Sequence, residues 1–170
     1  MDQALTLDAL LQAAERGAFD LYEGTKTKHR SCGISLAELY GHETKPYQSL
    51  RRGGLTGLGQ CGAIKAGELI LGEVFGDPDP TGPVTDTLRS AILRYNELWN
   101  ARVDRGASET IICNDLTAPF GDFHSPERHQ FCTRLAATVS GCIAQTLHEH
   151  GVVPALHLPP ELQVRANPEQ

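Results

Sequence analysis

Five cysteines, at positions 32, 61, 113, 132 and 142, are the residues whose type and placement carry the most chemistry in this chain. No two of them make Cys-x-x-Cys, which excludes the thioredoxin motif and zinc-ribbon knuckles. Any shared site must be assembled by the fold from distant segments. Cys32 and Cys61 each fall where a helix is expected to begin. Unpaired N–H groups and the positive end of the helix dipole favour a thiolate there, the form that attacks disulfides and ligates metals. These two are the candidate catalytic thiols. Cys113 lies in an irregular stretch with free backbone donors, and Cys132 sits on the apolar side of the last long helix, about one and a half turns in. Four thiols at Cys32, Cys61, Cys113 and Cys132 reaching one interior point suit an iron–sulfur cluster, with zinc as an alternative occupant. Without metal, two of them could cycle between dithiol and disulfide. The plainest alternative is a non-catalytic helical binding or assembly module whose cysteines are core. Cys142, between Val139 and Ile143, reads as core in any case, because free cysteine is among the most buried residue types.

Other chemistry is thinner. His124 is near Cys132 in sequence and could join the site as a mixed ligand or proton donor, while His148 and His150 suit a solvated helix end. Ser-His-Asp order and His-Glu-x-x-His are both missing, so a hydrolase reading has no support. The run Gly53, Gly54, Gly57, Gly59 and Gly62 lacks the Lys-Ser/Thr ending of a P-loop and follows no strand. It reads as close backbone packing, with Gly62, Ala63, Ala66 and Gly67 leaving room for a neighbouring helix or a cofactor; Gly62, Ala63 and Gly67 are the candidate cofactor-binding positions.

The elements that must position these residues are helices. Leu7, Leu10, Leu11, Ala14, Ala18 and Leu21 recur at steps of three and four, with Thr6 as cap and Gly24 as stop. Ser31 caps a short helix to Tyr40. Ala63, Ile64, Gly67, Ile70, Leu71, Val74 and Phe75 form the central helix behind its Gly-rich lead-in. The run 77–83, with three prolines, is a loop. Leu88, Ala91, Ile92, Tyr95, Leu98 and Trp99 line the next helix, and that stripe is a candidate homodimer surface. Ile111-Ile112-Cys113 reads as extended. Ser125-Pro126-Glu127 starts the last long helix, which carries Phe131, Cys132, Leu135, Val139, Cys142, Ile143 and Leu147 toward Gly151. The expected architecture is all-α, a compact bundle of about five helices spanning 1–153, with a Pro-rich tail at 154–170 that wraps loosely or frays.

The run Gly59-Gln60-Cys61-Gly62-Ala63-Ile64-Lys65-Ala66-Gly67 resembles the central motif of a bacterial family of redox-active proteins named for its cysteine pattern, C-GCAxxG-C-C. Cys32, Cys113 and Cys132 match the family's first, third and fourth cysteines, and the likeness covers roughly residues 6 to 150. A strict Cys-Gly-Ala-x-x-Gly would put glycine at 66, where this chain has Ala66 and then Gly67. The resemblance implies an all-α domain with a thiol- or metal-centred redox role. A related domain occurs in split-Soret cytochromes, where an iron–sulfur centre is suspected. Covalent haem attachment is excluded here, since Cys-x-x-Cys-His is missing.

Composition narrows the classes further. With 170 residues the chain has room for one domain. Its 15 basic residues against 21 acidic ones leave a net charge of −6, without the footprint of a nucleic-acid binder. No stretch approaches the length of a spanning apolar helix, so no membrane association is expected. Met1-Asp2-Gln3-Ala4-Leu5 has neither the basic patch nor the apolar run of a secretory signal, and a cytoplasmic location is the expectation. In that compartment a permanent disulfide framework is disfavoured. The redox partner is not specified by any motif.

Overall fold

In a computed structural model, which describes residues 6–163, the chain is an all-α bundle. Five principal helices run Leu7–Glu23 (α1), Cys32–Leu39 (α2), Gly62–Phe75 (α3), Asp86–Arg102 (α4) and Pro126–Glu149 (α6). Two short ones, Cys113–Thr117 (α5) and Pro160–Gln163 (α7), and two 3-10 turns, Lys45–Leu50 and Ala118–Phe120, complete the described residues. The periodic stripes are what pack. Leu10, Ala14, Ala18 and Leu21 are buried on α1, and Leu135, Ala136, Val139 and Ile143 on α6, the two helices in most extensive contact. α6 is the hub, touching α1, α3 and α4, while α2 packs on α3.

Helix ends follow local chemistry. The hydroxyls of Thr6, Thr85 and Ser125 each accept from a backbone N–H in the first turn of α1, α4 and α6. Gly24 stops α1 in the left-handed conformation at φ 85°. Polar groups inside the bundle are paired: the Tyr40 hydroxyl donates to Ser140 O at 2.6 Å, and the Ser140 hydroxyl to Ala14 O at 2.8 Å, tying α6 to both α2 and α1.

Three expectations are corrected by packing. The Leu88-to-Trp99 stripe is not a free dimer surface, because Ala91, Tyr95 and Leu98 are buried against α3 and α6; Leu93 is the large apolar side chain that α4 exposes. The tail is not loose through residue 163. His157 N–H donates to Leu39 O at 2.7 Å, the Thr27 hydroxyl donates to Glu161 at 2.5 Å, and Leu162 is buried. The rest of the tail, 164–170, lies outside the described residues. Finally, Cys113, expected to be extended along with Ile111 and Ile112, begins α5, one short turn of helix that also takes in Asn114 and Asp115.

Candidate functional site

Four elements deliver one cysteine each. Cys61 is the N-cap of α3 and Cys113 the first residue of α5; a short antiparallel pairing puts them side by side. Cys61 N–H donates to Ile111 O at 2.7 Å, Cys113 N–H to Gly59 O at 2.9 Å and Asn114 N–H to Gly57 O at 2.9 Å. The glycine-dense loop makes this possible. A Cβ at Gly57 would lie 2.0 Å from the Asn114 side chain, and one at Gly53 would lie 2.6 Å from Cys113 Cβ. Gly53 and Gly57 also hold φ of 55° and 77°. The first turn of α3 then approaches α2: a Cβ at Gly62 would lie 3.1 Å from Cys32 Cβ and 2.3 Å from Leu50 O. Cys132 comes in from α6.

Cys32, Cys61, Cys113 and Cys132 line one enclosed cavity together with Gly62, Ala63 and apolar side chains including Leu116, Phe131 and Leu135. The cavity offers about 30 Å³ to the centres of water-sized spheres, room for one or two waters as the side chains stand. Cys142 does not join them. It is fully buried elsewhere in the core, as its stripe position implied. His124 is exposed and outside the cavity. Gly67, expected to leave room for a cofactor, is filled by Tyr95, whose hydroxyl would lie 2.1 Å from a Cβ at that position and donates to Ile64 O at 2.8 Å. Gly62 and Ala63 do face the cavity.

The electrostatics reverse one expectation. Burial pushes the Cys32 thiol up to about 11, reinforced by the neighbouring Cys132. Burial likewise raises Cys61 and Cys113. The amides of Ile64 and Ala63, at the start of α3, pull Cys61 down, but desolvation outweighs them. A helix start is therefore insufficient to activate either thiol against desolvation.

Two residues that the cysteine spacing did not point to complete the wall. Arg128 is 8 % exposed, and among the described residues it makes no ion pair with a carboxylate. Its Nε donates to Phe123 O at 2.5 Å and a terminal amino group to the Tyr22 hydroxyl at 3.1 Å; both Arg128 and Tyr22 neighbour Cys132. The sequence held a signal for it: Arg128 stands three, four and seven residues before Phe131, Cys132 and Leu135, so a charge occupies the inward stripe of α6. Among the described residues no three His, Cys, Asp or Glu side chains are drawn together as a ready ligand set for one ion. No helix among the described residues is long and apolar enough to cross a membrane. Compared with models of protein families, with curated proteins and with solved structures, the chain matches none.

Proposed function

We propose that the four-cysteine cavity is a redox centre that holds an iron–sulfur cluster; the resemblance to the C-GCAxxG-C-C family implies a thiol- or metal-centred redox role. The observation that carries this reading is the convergence of Cys32, Cys61, Cys113 and Cys132, from four separate elements, on one enclosed apolar cavity. The chemistry of the donor set fits the group: four soft thiols, with no carboxylate or histidine lining the cavity to compete, while a cavity with room for one or two waters must widen to admit it. Zinc, held by four sulfurs about 3.8 Å apart around one ion, is the alternative occupant of the same donor set. When bound, such a cluster supplies one-electron transfer.

The chain's own residues have distinct roles. The four thiols must surrender their protons to bind metal, a loss that burial opposes at Cys32, Cys61 and Cys113 and coordination compels. Arg128 is a buried cation without a carboxylate, and thiolate ligands would provide its missing counter-charge. Leu116, Phe131 and Leu135 give the sulfurs apolar surroundings. Metal-free disulfide cycling is the weaker reading, because thiols raised by burial are poor attacking groups.

Anaerobic reconstitution with ferrous iron and sulfide tests the proposal. Visible absorption with equal iron and acid-labile sulfide is expected, and Cys61→Ser or Cys132→Ser should abolish it while Cys142→Ala retains it. A folded protein that stays colourless and iron-free would overturn it. Loss of two hydrogens in mass on mild oxidation, abolished by Cys61→Ser, would favour the disulfide reading instead.

A further inference from the structure

Sharing a wall with the cysteine cavity, a second depression of about 620 Å³ opens between residues 29–32, the glycine-rich loop and the start of α6. Its walls carry Arg51, Arg52, Arg128, His29, His124 and His129, and no aspartate or glutamate. In a chain of net charge −6, three arginines thus share one hollow that no carboxylate lines. Arg30, Arg94 and Arg102 are each paired with a glutamate, whereas Arg51, Arg52 and Arg128 have no carboxylate partner among the described residues.

The guanidinium carbons of Arg52 and Arg128 lie 4.7 and 4.2 Å from the centroid of the same ring, Phe123, so two positive charges are held over one side chain. Arg51 donates through Nε to the Ser31 hydroxyl at 3.1 Å, which leaves its terminal amino groups for another acceptor. His29 Nδ1 bonds Tyr22 O and His129 Nε2 bonds Glu23 O at 2.9 Å, fixing both rings while leaving each a second nitrogen. Two of the three described non-glycine residues with positive φ border the depression: Cys32 at 37° and Arg52 at 46°. Backbone strain of this kind persists where the surroundings enforce it, and it concentrates at functional sites.

We propose that this depression binds a small molecule carrying phosphate or carboxylate groups, with two or more negative charges, directly beside Cys32. Guanidinium groups match the planar geometry of both oxyanions. The cations line a hollow of the size that takes small ligands, roughly 300–1,000 Å³; a docking patch for an acidic protein would present them on a broad outer face. Arg128 borders both hollows, but Arg51 and Arg52 line this mouth alone, so the inference is tested through them and stands or falls apart from the iron–sulfur reading.

Calorimetric titration of the full chain with inorganic pyrophosphate and with succinate, at low and constant ionic strength, tests it. Saturable binding of at least one is expected, and which of the two binds identifies the group recognised. The variant Arg51→Gln/Arg52→Gln should weaken binding at least tenfold with unchanged circular dichroism, and Arg89→Gln, an exposed position on α4, should leave it unaltered. No saturable binding of either anion, or an equal loss in Arg89→Gln, would overturn the proposal. So would saturable binding of a polyglutamate peptide with no binding of either small anion, which would make the face a protein-docking surface.

Discussion

At Cys61 two influences act on one sulfur. The first amides of α3 favour the thiolate and enclosure favours the thiol, and enclosure prevails. The same balance raises Cys32 to about 11, and burial raises Cys142 to about 11 as well. A folded-state pKa above the unfolded value of about 8.5 means that the native protein binds more protons than the unfolded chain above that pH. Stability is thus fully present below pH about 8.5 and is lost as pH rises through the folded values. Reduced protein prepared without metal should show a urea midpoint that is steady from pH 7 to 8 and then falls toward pH 11. A midpoint independent of pH over that range would mean that the thiols are solvated. Cys142 separates packing from function: Cys142→Ala should cost about 1 kcal/mol by loss of a buried sulfur, measured by urea denaturation.

Helices and loops in this protein are held at close range by absent side chains. Gly67 is the sharpest case, because α3 and α4 meet there through the Tyr95 ring and hydroxyl. Gly67→Ala should force that buried ring off its place and strain the bond to Ile64 O, lowering stability by about 2–3 kcal/mol with the denaturant slope unchanged. If the loss is only a few tenths, α3 and α4 slide apart freely and the register of the bundle is not set there. The same reasoning explains the loop ahead of α3. Side chains at Gly53 or Gly57 would separate the 57–61 strand-like segment from 111–114, and with it Cys61 from Cys113. Ser125→Ala tests a simpler feature, the cap of α6, and should cost about 1 kcal/mol in the same measurement.

Over the whole molecule, the segment after α6 closes the bundle on the side of α2. Leu162 is 7 % exposed, and Leu156 and Leu158 pack partly against the core. Leu162→Ala should therefore lower stability by about 2 kcal/mol, and a chain ending at residue 153 should lose more than that, both read from thermal or urea unfolding. Equal stability of the shortened chain would show that the docked tail is incidental. Charge is also distributed at this scale: an acidic molecule gathers unpaired cations at the mouth beside its cysteines.

Periodicity and end signals were enough to read the five principal helices, because an apolar stripe must find a partner and because Thr6, Gly24 and Ser125 act within one turn of their own position. The same local logic placed Cys142 in the core, since it falls between Val139 and Ile143 on the apolar stripe of α6. Cysteine order along the chain suggested a shared site, but whether sulfurs a hundred residues apart face one cavity depends on the 57–61 and 111–114 pairing and on the contact of α2 with α3, which no local pattern encodes. Tertiary structure alone decided that Tyr95 occupies the space at Gly67, that Arg128 stands among the cysteines, that the tail docks through Leu162, and that burial raises the thiols of Cys32, Cys61, Cys113 and Cys142. Each of these depends on which atoms lie across the gap, and desolvation is set by the surroundings a residue acquires on folding, not by its neighbours in sequence.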